Sequence, residues 1–291
     1  MIYVISESIV SHRDIEEIFS ILYPEYPLSH DILNDALHNT KELLPSFYSV
    51  TFPHDGGDIF LCTECTSTQD IAKILYKQGV FTNYSLLLSI EQHSGRGQYG
   101  RSWVSSRGNI LATMCLPPYP CYMQSNTTVF LGASVTHFLR TLGVQAYNKW
   151  INDILLATKK VAGLLLEQEG ECLLLGIGIN LKNIPSLHNG LHSATSILQH
   201  MYFPYSPVAC MHALREFFLM KENLLIEGSN EDVQTYIEKY MAYKGKTIGI
   251  EIRENEIQYG ECYGIGDDGS LILIQEGTHT HYVEGHIVSV S

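Results

Sequence analysis

Residues 95–103 read Gly-Arg-Gly-Gln-Tyr-Gly-Arg-Ser-Trp and carry residue types suited to binding an anion. Arg96 and Arg101 each offer a planar set of N–H donors that fits a phosphate or a carboxylate. Glycine allows the backbone to approach a ligand closely, and three glycines lie in this segment: Gly95, Gly97 and Gly100. The segment therefore predicts a loop that closes over an anionic ligand.

The same glycines match the G-x-G-x-x-G pattern of dinucleotide-binding folds, which requires a helix directly after the glycines. The residues after Trp103 show no helical periodicity and lead into the apolar run 110–116. The context therefore excludes a dinucleotide-binding fold.

Three further segments combine polar groups with strand-like runs: Lys149-Trp-Ile-Asn-Asp153, Lys160-Val-Ala-Gly-Leu-Leu165 and Gly176-Ile-Gly-Ile-Asn180. The first places a cation, an amide and a carboxylate just before a strand. The third alternates glycine with isoleucine, which predicts a strand with one bare face where a flat ligand could lie.

The elements that must position these residues alternate between helix and strand. Thr66-Ser-Thr-Gln69 has the form of a capping box and predicts a helix that ends at Gly79. Periodicity predicts further helices over 127–142, 207–226 and about 231–240, and strands over 59–62, 84–92, 108–116, 154–157, 161–168 and 172–180. Short strands over 246–252, 257–265, 271–275 and 279–283 predict a small antiparallel barrel.

Residues 1–58 differ from the remainder of the chain. Ile15, Ile18, Phe19 and Leu22 are spaced as on one face of a helix, between segments that contain prolines. The cluster His54-Asp-Gly-Gly-Asp58 predicts a turn, and we place a domain boundary there. This segment contains ten acidic residues and only two basic ones, Arg13 and Lys41. The excess of negative charge argues against DNA binding because it would repel the phosphates.

Composition describes a globular chain of 291 residues with a net charge of −13. No apolar run is long enough to span a membrane, and no signal peptide is visible, so we expect a cytoplasmic protein without a membrane partner. Seven scattered cysteines indicate reduced thiols. Cys62 and Cys65 lack a second ligand pair, so we predict no metal-ligating residues.

Taken together and in this order, the motifs closely resemble those of biotin protein ligases. The resemblance rests on segments 95–103, 149–153, 160–165 and 176–180, on the Thr66–Gln69 segment, and on Gln92 ahead of the loop. It covers about residues 59–291.

The resemblance implies an α/β (α+β) fold: a mixed-sheet catalytic domain like that of class II synthetases, with a small SH3-like barrel at the C-terminus. The corresponding domains are an N-terminal extension of unknown role (1–58), a catalytic domain (59–240) and the barrel (241–291). The implied substrates are biotin and ATP with Mg²⁺, and the implied partner is the biotin carboxyl carrier domain of acetyl-CoA carboxylase or a related carboxylase. We expect a monomer or weak homodimer.

The implied site residues fall into three groups by task. Catalysis is assigned to Lys160, Arg96, Arg101 and Asp153, where Asp153 would orient the acceptor lysine and accept its proton. Biotin binding is assigned to Ser67, Thr68, Gln92, Arg96, Lys160 and Gly163. ATP or adenylate binding is assigned to Gly95, Gly97, Gly100, Arg101, Trp103, Asn152 and Asn180. In this assignment, Trp103 would form one wall of the adenylate pocket, and Asn180 would recognise adenine.

Two residues depart from the family pattern. Gln98 stands where the loop usually has an arginine, which predicts weaker retention of the adenylate, and Ile151 replaces the usual proline. Alternative functions are a lipoate or octanoate ligase, a non-catalytic biotin-sensing repressor, and a relative that binds biotin without adenylating it.

Overall fold

A computed structural model gives the structure, which describes residues 1–6, 10–25, 28–44, 47–52, 58–118, 127–184, 193–227, 230–253 and 255–291. The turn predicted at 54–58 lies outside these residues except for Asp58. The chain divides into two compact units. Unit 1 comprises Met1–Pro117, Leu165–Pro185 and Leu198–Glu216, and unit 2 comprises Pro118–Leu164, Ser186–Ile197 and Phe217–Ser291. The domain boundaries after residues 58 and 240 stay predictions.

The helices are α1 (His12–Ile21), α2 (His30–His38), α3 (Thr68–Lys77), α4 (Thr127–Thr141), α5 (Pro207–Glu227) and α6 (Asn230–Tyr240). The strands are β1 (Ile2–Ser6), β2 (Lys41–Leu44), β3 (Phe47–Phe52), β4 (Ile59–Cys65), β5 (Leu86–Gln92), β6 (Ile110–Leu116), β7 (Ala146–Lys149), β8 (Asp153–Leu156), β9 (Lys159–Glu169), β10 (Cys172–Ile179), β11 (Thr247–Arg253), β12 (Glu256–Ile265), β13 (Leu271–Gln275), β14 (Thr278–Tyr282) and β15 (His286–Val290).

Unit 1 contains a mixed sheet with the strand order β2-β3-β1-β4-β5-β6-β10, followed by the C-terminal part of β9. Strand β4 pairs in parallel with β1 and with β5, whereas β6 pairs antiparallel with β5 and β10. Strands β1 to β3 were not predicted, yet β1 lies inside the sheet. The segment 1–58 therefore supplies three strands to the same sheet as the loop-bearing strands.

Helix α1 has the amphipathic pattern that the sequence predicts. Its residues Ile15, Ile18 and Phe19 are buried. Ser11 caps the helix reciprocally with Asp14, each side chain bonding the other residue's backbone amide, which satisfies amides that have no partner within the helix. The spacing of apolar residues thus identified a real helix.

Unit 2 contains β7, β8 and the N-terminal part of β9, together with a five-stranded antiparallel sheet in the order β14-β13-β12-β11-β15. Its core joins Val129 and Ala133 of α4 to Trp150 and to apolar residues of the five-stranded sheet such as Ile250. The indole N–H of Trp150 donates to the carbonyl of Gly269 at 3.1 Å. The predicted mixed α/β fold class with a small C-terminal β-domain is confirmed, although β7 and β15 were not predicted.

The expectation of reduced cysteines is wrong for one pair. Cys115 on β6 and Cys172 on β10 form a disulfide, and these two strands are antiparallel neighbours with Leu116 opposite Leu173. The pairing could not be read from the sequence because 57 positions separate the two residues. Separately, none of the described helices has the length and apolarity needed to cross a bilayer.

Candidate functional site

The glycine- and arginine-containing loop of unit 1 folds as a short hairpin. The amide of Trp103 donates to the carbonyl of Gly95 at 2.7 Å, and the amide of Gly97 donates to that of Arg101 at 2.7 Å. Residues 98–100 form a 3₁₀ turn at its tip. Because both ends are tied by backbone hydrogen bonds, the loop has a defined shape that presents its tip to solvent.

The start of α3 is capped by a side chain from the end of β5. Gln92 Oε1 accepts from the Thr68 amide at 2.8 Å and from the Thr68 hydroxyl at 3.2 Å, and Gln92 Nε2 donates to Ser105 at 2.9 Å. Ser67 occupies the N-cap position, but its side chain makes no capping hydrogen bond. The predicted capping box is therefore wrong, because an amide 24 residues away replaces it. Thr68 and Gln92 are in contact, beside Ser67.

Gln69 lies beneath this corner and was not predicted as a site residue. Thr113, the only hydroxyl residue in the apolar strand β6, has its hydroxyl 2.9 Å from both Gln69 Oε1 and the Thr68 hydroxyl. Gln69 Nε2 donates to the carbonyl of Leu174 and to Glu167, both at 3.1 Å. A network of side chains thus runs from the half-buried Gln92 through the buried Thr68, Thr113 and Gln69 to the half-buried Glu167.

Arg96 is held by two carboxylates. Its guanidinium lies 2.7 Å from Asp70 Oδ1 and 3.0 Å from each oxygen of Glu167, while Lys73 Nζ lies 3.0 Å from Glu167. Burial opposes ionisation of Glu167, but the hydrogen bonds from Lys73 and Arg96 outweigh it and lower the pKa of this carboxyl. Hydrogen bonds to these two carboxylates therefore fix the position of the Arg96 guanidinium before any ligand binds.

A cavity of about 440 Å³ opens between the loop and β9 within unit 1. Its lining consists of Arg96, Gly97, Gln98, Tyr99, Gly100, Leu165 and Glu167. Arg101, the second loop arginine, is exposed, and its guanidinium carbon lies 6.0 Å from the centre of the Tyr99 ring. Of the predicted loop residues, the structure thus brings Arg96, Gly97 and Gly100 to one cavity, whereas Gly95, Arg101 and Trp103 do not line it.

The strand face that was predicted to be bare is covered. A Cβ atom at Gly178 would lie 2.4 Å from Trp103 Cε2, and one at Gly176 would lie 3.2 Å from the side chain of Gln69. The flat group on this face is therefore the indole of Trp103, which corrects the expectation of a bare strand. Asn180 follows on the same strand end, is buried, and its Oδ1 has no hydrogen-bond partner in the described part of the chain.

Replacing Gly178 by alanine is expected to displace the indole of Trp103, because the added methyl would overlap ring atoms. Overpacking of this kind destabilises a protein by about 1–3 kcal/mol, and because the resemblance implies that Trp103 lies at the nucleotide site, we expect weaker ATP binding as well. Urea unfolding and calorimetric titration with ATP measure the two effects. Gly264→Ala is the matched control, since no atom lies within 4 Å of a Cβ there. Unchanged ATP binding in Gly178→Ala would contradict the placement of Trp103 at the site.

In unit 2, Asp153 lies between two lysines. Its Oδ1 is 2.6 Å from Lys160 Nζ and its Oδ2 is 3.2 Å from Lys149 Nζ. Burial opposes ionisation of Asp153, but the two ammonium groups outweigh it and lower the pKa of the carboxyl. The Lys160 side chain stays 32% exposed. The contact with Asp153 therefore fixes the position of the Lys160 ammonium group, which stays partly accessible to solvent.

The remaining predicted residues of unit 2 stabilise this corner. Gly163 on β9 pairs with Asp153 on β8. Asn152 Nδ2 donates to the carbonyl of Leu164 at 2.8 Å, and the Leu164 amide donates to the carbonyl of Asn152 at 3.0 Å. Asn152 is thus engaged in joining the β7–β8 turn to β9, and its predicted ATP contact stays a prediction.

Sequence reasoning missed Asp70, Thr113 and Glu167, and it noted Gln69 and Lys149 within motifs without assigning them a role in the site. Two signals were available: Thr113 is a lone hydroxyl residue in an apolar strand, and Asp70 directly follows the Thr66–Gln69 segment. The ion pair of Glu167 with Arg96 spans 71 positions and left no local signal.

Residues 62–182 match the model of the biotin/lipoate A/B protein ligase family. This stretch of the chain is similar to that family. The matched stretch contains every motif on which the resemblance rests: segments 66–69, 95–103, 149–153, 160–165 and 176–180, with Gln92. The resemblance predicted from these motifs is confirmed for this stretch of the chain.

The chain is also similar to individual proteins described as ligases. The chain is 35% identical over 108 residues to a biotin–[acetyl-CoA-carboxylase] ligase of Paracoccus denitrificans, covering 34% of this chain and 45% of that protein. It is 26% identical over 282 residues to the bifunctional ligase/repressor BirA of Escherichia coli, covering 93% and 83%. The match with the Paracoccus ligase therefore spans less than half of that relative's length.

The fold is shared with a biotin protein ligase of Aquifex aeolicus whose structure was solved in complex with biotin and ATP. The TM-score is 0.68, the sequence identity is 23%, and the match covers 80% of this chain and 98% of the other. This similarity supports the assigned fold class.

Proposed function

We propose that this chain is an ATP-dependent biotin protein ligase. The observation that carries the proposal is the ordered set of motifs within the matched region, on a fold shared with a biotin protein ligase. The relative from Paracoccus denitrificans supports the choice of biotin, since it is a biotin–[acetyl-CoA-carboxylase] ligase.

The proposed reaction has two steps. A carboxylate oxygen of biotin attacks the α-phosphorus of ATP, and the bond to pyrophosphate breaks, which gives biotinyl-5′-AMP. The ε-amine of a lysine on a carrier domain then attacks the acyl carbon, AMP leaves, and the amine loses a proton. Neither step needs an enzyme nucleophile, so positioning and electrostatic stabilisation supply the catalysis.

In unit 1, we assign biotin recognition to Ser67, Thr68 and Gln92, and contacts with the carboxylate and phosphates to Arg96 and Arg101. An incoming anion would replace Asp70 and Glu167 as the partner of Arg96. The indole of Trp103 and the free acceptor of Asn180 are assigned to the nucleotide. The backbone of the loop glycines would let the tip approach the adenylate and exclude water.

In unit 2, we assign to Lys160 the stabilisation of negative charge on the biotin carboxylate and the α-phosphate. Asp153 positions that lysine, and its role as acceptor of the proton of the carrier lysine stays a prediction. Gly163 and Asn152 would shape the surface next to it.

Mg²⁺ is proposed to bind as a complex with ATP, coordinated by its phosphates. Magnesium binds oxygen ligands and usually keeps few protein contacts, and the carboxylates nearest the loop, Asp70 and Glu167, are already engaged by cations. The carrier domain of a carboxylase is the proposed partner. A cytoplasmic location and a monomer or weak homodimer stay predictions.

Pyrophosphate release tests the proposed chemistry against its rival. With ATP and Mg²⁺ present, biotin is expected to trigger release, and lipoate or octanoate is expected to leave it near background. Faster release with lipoate or octanoate would identify the lipoate branch of the family instead.

Gln98→Arg is expected to slow the escape of biotinyl-AMP. The tip of the loop lines the cavity, and a guanidinium there could form a charge-assisted contact with a phosphate, worth about 1.5–3 kcal/mol. Because affinity changes within one site usually alter the dissociation rate, the adenylate should leave about tenfold more slowly. A chase of labelled adenylate measures this rate, and equal rates for both proteins would show that residue 98 contacts no phosphate.

The chain is not expected to bind DNA specifically. Residues 1–58 carry only Arg13 and Lys41 against ten acidic residues, and specific binding requires neutralising several phosphates. A filter-binding titration with DNA from its own promoter region tests this at low and physiological salt. Salt-sensitive nanomolar binding would favour the repressor alternative.

A further inference from the structure

Asn109 is a buried polar residue at the first position before β6, just after the segment that carries the loop. It is 2% exposed. Its Oδ1 accepts from the amides of Lys182 and Asn183 at 3.0 and 2.9 Å, and its Nδ2 donates to the carbonyl of Asn183 at 2.9 Å. One side chain therefore fixes the backbone of the turn that follows β10.

That turn begins directly after Asn180. The amide of Leu198 donates to the carbonyl of Leu181 at 3.0 Å. Each of residues 181, 182 and 183 therefore has a backbone group engaged in a hydrogen bond. Asn180 itself is 1% exposed, and its Oδ1 has no partner among the described residues. A buried acceptor without a partner is costly, and the backbone that directly follows Asn180 is held at residues 181, 182 and 183.

We infer that Asn109 is a positioning residue that holds the Asn180 amide ready to accept a hydrogen bond from the 6-amino group of adenine. Asn109 does not touch the nucleotide in this arrangement. It acts through the backbone at residues 182 and 183, and it makes the preference for adenine depend on a side chain that lies just before β6. The inference rests on the proposed function for the identity of the nucleotide.

Equilibrium binding of ATP and of purine riboside triphosphate, which lacks the 6-amino group, tests this role. Wild type is expected to bind ATP more tightly, by about tenfold for a hydrogen bond to a buried acceptor. Asn109→Ala is expected to reduce this ratio to near one, as Asn180→Ala does, and the double variant should be no worse than Asn180→Ala. Asn109→Asp keeps an oxygen that can accept from the amides of Lys182 and Asn183, so it should retain part of the preference for ATP.

Asn183→Ala is the matched control, because it keeps the backbone groups that Asn109 contacts, and its ratio should equal that of wild type. A purely structural role would weaken binding of both nucleotides in Asn109→Ala and leave their ratio unchanged, which would overturn the inference. A wild type without any preference for ATP would also overturn it. If the ATP preference holds but biotin triggers no pyrophosphate release, the proposed function fails while the role of Asn109 stands.

Discussion

Lys160→Ala is expected to slow formation of biotinyl-AMP by roughly 100-fold or more while the protein stays folded. The ammonium group is fixed by Asp153 at 2.6 Å, and a positioned cation near developing negative charge supplies a few kcal/mol of transition-state stabilisation. The side chain is partly exposed, so its removal should disturb packing little. Pyrophosphate release with saturating biotin and ATP measures the rate, and urea unfolding measures the stability.

The neighbouring Lys159 provides the control for Lys160. It is exposed and lies on the same strand, so Lys159→Ala removes an equal charge without altering the contacts of Asp153. Its rate should stay within about twofold of wild type, as is usual for a surface substitution. Near-normal pyrophosphate release in Lys160→Ala would show that this lysine is only a surface charge.

Arg96→Ala is expected to give the second largest loss, about 10- to 100-fold in the rate of adenylate formation. A guanidinium contact with a carboxylate or phosphate contributes about 1.5–3 kcal/mol. Asp70→Asn should weaken ATP binding far less, because it removes a competing partner and leaves the guanidinium in place. Initial rates at varied ATP concentration separate effects on binding from effects on chemistry.

Arg107 is a matched control for Arg96, since it also pairs with two carboxylates, Glu17 and Glu91. Arg107→Ala removes an arginine and its ion pairs elsewhere on unit 1, so it should alter stability slightly and leave the rate within about twofold. If Arg96→Ala and Arg107→Ala give equal rates, Arg96 has a structural role in the loop and no contact with substrate.

The features that sequence predicts well are those with local causes. Helices α3 to α6 and strands β8 to β13 carry periodic apolar residues, and each was predicted within a few positions. The glycine and arginine types of the 95–103 loop predicted an anion site, and the structure gives that loop a closed hairpin beside a cavity.

The features that sequence misses depend on distant partners. Strand β1 lies between β3 and β4, and no local pattern near residue 2 indicates that pairing. The helix cap at Thr68 comes from Gln92, and the surface over Gly178 is filled by Trp103. The two carboxylates around Arg96 likewise come from α3 and β9. Each of these features is a contact between residues far apart in the chain. The sequence shows the residue types, but it does not show which residues contact each other.

Transfer of biotin to a carrier domain tests the central claim most directly. A purified biotin carboxyl carrier domain is incubated with the protein, biotin, ATP and Mg²⁺, and its intact mass is followed over time. The carrier is expected to gain the mass of one biotinyl group on its lysine, only when both ATP and Mg²⁺ are present and not with Lys160→Ala. An unmodified carrier, or equal labelling when lipoate replaces biotin, would contradict the account.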